Sequence, residues 1–493
     1  MPAYNRRDIV FEDIGSRREL MVDDHLIWRM SGAVDLRLHR PVPREIALET
    51  DQPWEGDTCG YITVFQDDDK YLMYYRGSKA AATHAHASGK SPIVLARAES
   101  DDGIHWTRPE YGLHEFEGSK NNNIVFAGAE AERCGVHGFA PFKDLNPQCD
   151  PQARYKAIGA PGKNANQGLY VFQSPDGLHW TLVKDGPVIT KGRFDSQDLA
   201  FWDSPRGEYR VYFRDSWRGE VRRFRDIKTC TSPDFIHWTE PEWLAYPGAE
   251  AEEMYTNQII PYYRAPHIFL GFPTRYVDRG WCLNMENLSE LKHRRMRADT
   301  DEPRSATALT DGLFMASRDG KTFYRWDEAF IRPGPQLKGN WVYGDNYQCW
   351  GVVPTRSSVE NEPGELSVYA TENYRRFPTR IRRYSLRMDG FASVHASGRG
   401  GEFVTKPIRF DGSKLLLNFA TSAAGSIRIE IQDAQGAPFD HFRLEEAPEI
   451  FGDAVDQVVP WNEKADLCGL CSKPVRLRFV MKDADLYAFR FFG

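Results

Sequence analysis

The stretch Ser174-Pro175-Asp176-Gly177-Leu178-His179-Trp180 is written in four versions along the chain. Its relatives are Ser100-Asp101-Asp102-Gly103-Ile104-His105-Trp106, Ser232-Pro233-Asp234-Phe235-Ile236-His237-Trp238 and Ser317-Arg318-Asp319-Gly320-Lys321-Thr322-Phe323. In each, an apolar run such as Leu169 to Phe172 leads into the serine, the Asp and its successor make a tight turn, and the aromatic opens the returning strand. The aspartate can accept from backbone amides two residues on, and glycine takes up positive φ at little steric cost. Four copies of one hairpin predict a repeat fold. Their unequal spacing suits blades of about four strands joined by loops of variable length, a β-propeller.

With 493 residues, 41% hydrophobic and 27% charged, the chain is long enough for two domains. A formal net charge of -7 argues against nucleic acid as the partner, since phosphate binding needs a concentrated basic surface. Aromatic residues make up 13%, with 13 Trp and 22 Tyr, which suits a β-rich core and also sugar-stacking platforms in a cleft. Met1 to Asp8 carries no apolar signal segment and no stretch reaches transmembrane length, so the expectation is a cytoplasmic protein without membrane contact. Eight scattered cysteines fit reduced thiols, and Cys468-Gly469-Leu470-Cys471 has no second pair with which to build a zinc site. No cofactor is expected, and no His-Glu-x-x-His or clustered-histidine motif points to a catalytic metal.

Counting back from each hairpin gives the blades. Glu19 to Ile27 reads as a strand that closes the ring by pairing with the last blade. Tyr61 to Phe65 and Tyr71 to Tyr75 precede the hairpin at Ser100, a second unit runs from Gly135 to Ser174, a third from Phe194 to Ser232, and a fourth from Glu252 to Ser317. A fifth begins at Trp341 and ends in Asp389-Gly390-Phe391, a degenerate form of the same turn. Two insertions interrupt the pattern: Arg279 to Arg304, with the basic run Lys292 to Arg297, and Glu372 to Arg380. The basic run reads as a solvated loop, a cover for the cleft, an anion site or a subunit contact. The expected architecture is all-β: a five-bladed β-propeller over residues 1–395, followed by a β-sandwich over 396–493, where alternating strands such as Lys414 to Phe419 and Val475 to Met481 replace the hairpins.

In a propeller the innermost strands converge on the axis, so residues at the start of each meet at one end of a funnel. Those positions hold Asp57, His137, Asp195 or Asp198, Glu252 or Glu253 with Asn257, and Asp345 with Asn346. Trp54, Tyr255, Trp341 and Tyr347 flank them as candidate sugar platforms, and Arg275 is placed to bind a substrate carboxylate or hydroxyl pair. Asp23-Asp24 is an alternative carboxylate source if the first strand reaches the axis. Carboxyl groups crowded in a cleft have their pKa values driven apart, leaving one ionised and one protonated, which is what glycoside hydrolysis requires.

Five blades with these hairpins, axial carboxylates and a C-terminal β-sandwich resemble the five-bladed glycoside hydrolases of the invertase, levanase and arabinanase type. Gly56-Asp57-Thr58-Cys59-Gly60 answers their Asn-Asp-Pro-Asn-Gly, Phe194-Asp195-Ser196 their Arg-Asp-Pro, and Glu253-Met254-Tyr255 their Glu-Cys-Pro. The resemblance implies Asp57 as nucleophile or base, Asp195 as the residue that orients sugar hydroxyls and stabilises the transition state, and Glu253 as general acid. His137, Asp198, Glu252, Tyr255, Asn257, Arg275, Asp345 and the flanking aromatics would bind substrate. The expected activity is release of a terminal, furanosidic sugar from a short oligosaccharide. A glycoside phosphorylase of the same fold and a non-catalytic carbohydrate-binding propeller are the alternatives, and a homo-oligomer is an open option.

Overall fold

The computed structural model describes residues 10–79, 93–161, 168–218, 223–299, 303–461, 465–471 and 473–493; Met1 to Asp8 and residues 300–302 of the first insertion lie outside them. The chain divides into two compact units, Pro41–Ser385 and a second in which the chain up to Arg40 joins Leu386–Gly493. The sequence boundaries of 1–395 and 396–493 thus differ from these at both ends of the propeller.

The larger unit is a five-bladed propeller. Its inner strands are Gly60–Asp67, Ala140–Lys143, Leu199–Asp203, Ile260–Tyr262 and Val353–Thr355, each opening a four-stranded sheet. Val64 donates to Trp350 O at 2.7 Å and Trp350 to Ile62 O at 2.8 Å, joining the fifth blade to the first. The outermost strand of blade 5 is Val42–Thr50, paired antiparallel with Thr379–Arg387. Ring closure therefore falls to this segment and not to Glu19 to Ile27, whose Glu19–Leu20 pairs with Val475–Phe492 in the other unit.

The repeated hairpins join the third and fourth strands of blades 1 to 4, and their serines and aspartates act as the turn chemistry requires. Asp176 Oδ1 accepts from the amides of Leu178 and His179 at 2.8 and 2.9 Å, and Ser174 Oγ accepts from Gly177 N at 2.9 Å. Burial opposes ionisation of Asp176, yet the His179 and Leu178 donors hold its pKa down at about 2. Three of the four turns also receive a peg from the preceding blade. Tyr74 donates to Gly177 O at 2.9 Å, Tyr212 to Gly320 O at 2.8 Å, and Tyr369 to Gly103 O.

The third turn departs from this plan in a compensated way. Blade 2 carries Ile158 at the register where blades 1 and 3 carry Tyr74 and Tyr212. The turn that follows holds Phe235, at φ 68, where the others have glycine. With no hydroxyl to accommodate, the space takes the Phe235 ring, which is 1% exposed and packs on Phe142 and Tyr209.

The second unit is the β-sandwich, built on the long strands Ile27–Leu38, Ala392–Thr405, Lys414–Asp433 and Val475–Phe492. Stacked pairs Phe403–Phe479 and Phe410–Phe491 lie in its core. The degenerate turn at Asp389 belongs here, not to a blade hairpin: Asp389 Oδ2 accepts from Arg18 and Asn418, both at 3.1 Å. No helix among the described residues is long and apolar enough to cross a membrane.

Candidate active site

Residues 195 to 198 lead into the inner strand of blade 3, and Arg214 stands on the adjacent strand Glu208–Arg218. Arg214 Nε donates to Asp195 Oδ1 at 3.1 Å, Nη2 to Asp195 O at 2.9 Å and Nη1 to Tyr255 O at 3.3 Å. Half of the Asp195 side chain is open to solvent, whereas Arg214 is only 4% exposed. Partial burial works against ionisation of Asp195, but the Arg214 guanidinium outweighs it and brings the pKa down to about 2. Asp198 is completely buried and goes the other way: burial lifts its pKa far above the carboxylate range, Arg214 opposes this, and the charge of Asp195 adds to it. Two carboxyl groups at one strand entry are thus driven in opposite directions, Asp195 down and Asp198 up.

A wall of tyrosines and arginines surrounds Asp195. Tyr255 stacks on Tyr347 at 5.0 Å between centroids and accepts from the Tyr343 hydroxyl at 2.7 Å. Arg214 and Arg225 lie 4.5 and 5.5 Å from the centre of its ring. Burial disfavours a charged Tyr255, yet these two cations bring its hydroxyl below the ordinary tyrosine value. From blade 1, Tyr61 donates to Asp195 O at 3.3 Å, meets His137 edge-on at 5.5 Å and carries Arg76 over its face at 4.3 Å. Burial and the Arg76 charge push His137 down to about 3, so its ring is neutral.

Glu253, expected as general acid, is 2% exposed, and its oxygens accept from Arg225 and Arg304, each at 2.7 Å. This arrangement suits the fixing of two cations better than the presentation of a proton. Its neighbour Glu252 points elsewhere. Glu252, Arg275 and Trp341 line a cavity of about 750 Å³ together with Asp311, Asp327 and Arg332. Arg275 is held there by Glu252 at 2.7 Å and by both oxygens of Asp311 at 2.9 and 2.7 Å.

The remaining sequence candidates separate. Asp57 is half-buried at the entry of blade 1, its carbonyl accepting from Thr379 Oγ1 at 3.3 Å. Trp54 donates to Asn123 Oδ1 at 2.8 Å and packs edge-on against Phe116. Asn257 is buried and donates to Gln197 O at 3.3 Å. Asp345 is also buried, accepts from Tyr374 N at 3.2 Å, and has its pKa pushed up to about 8 by that burial. Asp23 and Asp24 belong to the sandwich unit, where Asp23 accepts from His25 N.

Arg76, Arg214, Arg225 and Arg304 are the residues that a search for carboxylates does not reveal. A signal for two of them stands in the second strands. Tyr71-Leu72-Met73-Tyr74-Tyr75-Arg76 and Tyr209-Arg210-Val211-Tyr212-Phe213-Arg214 place an arginine at one register, counted from the tyrosine paired with the hairpin serine. The basic run of the insertion forms the helix Leu291–Ala298 and serves the scaffold: Arg294 is 1% exposed, donating to Ser289 O, Ala306 O and Trp341 O, and Arg297 bonds Ser305. Among the described residues no cluster of His, Cys, Asp and Glu gathers that could hold a metal ion.

No family model matches the chain, and no curated protein matches it. Solved structures similar to it include a glycoside hydrolase at 14% identity and TM-score 0.44, covering 72% of this chain and 93% of its own. Another is an N-acetylgalactosamine deacetylase from F. plautii in complex with blood group B trisaccharide, at 13% identity and TM-score 0.42, with 72% and 96% covered. A fructofuranosidase from Schwanniomyces occidentalis complexed with fructosylnystose aligns over 92% of this chain and 97% of its own, at 12% identity and TM-score 0.34.

Proposed function

We propose that this chain is a glycosidase working at the propeller axis on a terminal, furanosidic residue of a short cytoplasmic oligosaccharide. The observation that carries the reading is the pair at blade 3: a half-open Asp195 held ionised by Arg214, beside a buried Asp198 whose pKa burial drives upward. Asp195 has the exposure and charge needed of a nucleophile, or of a base acting on water. Glu253 acts by fixing Arg225 and Arg304. The cavity with Glu252, Arg275 and Trp341 receives the rest of the oligosaccharide.

Phosphorolysis is the second reading, favoured by the density of guanidinium groups around Asp195. A screen of chromogenic glycosides and oligosaccharides, with and without phosphate, tests both. Release of free sugar supports hydrolysis, release of sugar phosphate only when phosphate is present supports phosphorolysis, and tight binding without release marks a carbohydrate-binding propeller.

A further inference from the structure

Arg76 is 5% exposed and reaches the axis from the end of Lys70–Gly77. Every other arginine of the site has a carboxylate: Arg214 has Asp195, Arg225 has Glu253, and Arg304 has Glu253 and Asp278. Arg76 has neutral neighbours instead. Its Nη1 donates to His137 Nδ1 at 3.3 Å, its Nη2 to Thr58 O at 3.1 Å and the Tyr374 hydroxyl at 3.4 Å, and its Nε has no hydrogen-bond partner. A guanidinium removed from water without an anion is unfavourable, and such a site is stabilised when a negative group arrives.

The surroundings fit that arrival. Arg76 Nη1 lies 3.3 Å from Nδ1 and 3.5 Å from Nε2 of His137, whose neutral ring keeps one N–H as a further donor. Tyr61 holds Arg76 against its ring, Tyr374 brings a hydroxyl group, and among the described residues no ion pair ties Arg76 to a carboxylate. The planar fork of arginine matches the paired oxygens of a carboxylate or a phosphate.

We propose that Arg76, with His137, Tyr61 and Tyr374, forms an oxyanion-binding subsite, so that the substrate or co-substrate brings a carboxylate, as in a uronic acid, or a phosphate to the propeller axis. The proposal deepens the glycosidase reading and rests on it for the identity of the sugar, but the anion site itself is measurable without turnover.

Calorimetric titration of the full chain at constant ionic strength, using inorganic phosphate, methyl glucuronide and the neutral methyl glucoside, decides the matter. The expected result is saturable binding of phosphate or of the uronide at least tenfold tighter than of the neutral glycoside. That preference is lost in Arg76→Gln and largely kept in Arg76→Lys. Phosphate binding alone identifies a co-substrate site, and uronide binding alone an acidic sugar. Equal affinity for charged and neutral ligands, or an unchanged preference in a folded Arg76→Gln, overturns the subsite. If Arg76→Gln does not fold, the wild-type comparison of uronide with glucoside still decides. Anion binding without glycoside cleavage would leave the subsite standing and remove the glycosidase reading, and cleavage of neutral glycosides without anion preference would do the reverse.

Discussion

Asp345 shows how burial alone sets the behaviour of a single residue. Its carboxyl is 2% exposed, one oxygen accepts from Tyr374 N, and its folded pKa stands at about 8. The unfolded value is about 3.9, so between about pH 4 and pH 8 the folded chain retains a proton that the unfolded chain releases. Stability from this group is present below about pH 4 and is lost as pH rises toward 8. Asp345→Asn keeps an acceptor for Tyr374 and has no charge to bury. The expected outcome is a variant whose Tm gains on the parent as pH goes from 5 to 8, measured by thermal unfolding across that range; a constant difference would show that Asp345 is not held protonated. The contrast with Asp195 is one of partners: both lose hydration, but only Asp195 has Arg214 against it.

The hairpin is legible in sequence because each of its residues answers a local demand. Serine and aspartate cap the turn amides, glycine takes φ 72 at position 177, and the side chains needed for this lie within seven residues. The tyrosine peg is a contact between blades and adds a second constraint on the same glycine, since a Cβ on Gly177 would lie 2.4 Å from the Tyr74 hydroxyl. Gly177→Ala should therefore cost about 1–3 kcal/mol, from positive φ and from the clash together. Tyr74→Phe added to Gly177→Ala should recover part of that cost, read as non-additivity in a denaturant double-mutant cycle. Strict additivity would mean that the peg does not press on the turn. The strand Val42–Thr50 has no such local signature, because its pairing with Thr379–Arg387 spans most of the chain and only the completed ring selects it.

Across the whole molecule, the propeller gathers at one entry what the sequence holds far apart: Tyr61, Arg76, His137, Asp195, Arg214, Glu253, Tyr255 and Tyr347 come from all five blades. Strand-entry reasoning finds Asp195, Asp198, His137 and Tyr255, because the hairpins mark where each blade ends. It cannot separate Glu252 from Glu253, or a buried Asp345 from an open Asp195, because those differences arise from side-chain direction and tertiary burial. The arginines are missed for a related reason: a charge near the end of a second strand is ordinary until the neighbouring blade supplies the tyrosine or carboxylate it meets. The proposed reaction turns on Asp195 as its ionised carboxylate. The most direct measurement is kcat/KM of the parent and of Asp195→Asn on the best glycoside from the screen, with folding checked by circular dichroism. A fall of roughly 10³-fold or more, with the fold intact, is the predicted result. Cleavage by Asp195→Asn at the parent rate would contradict it.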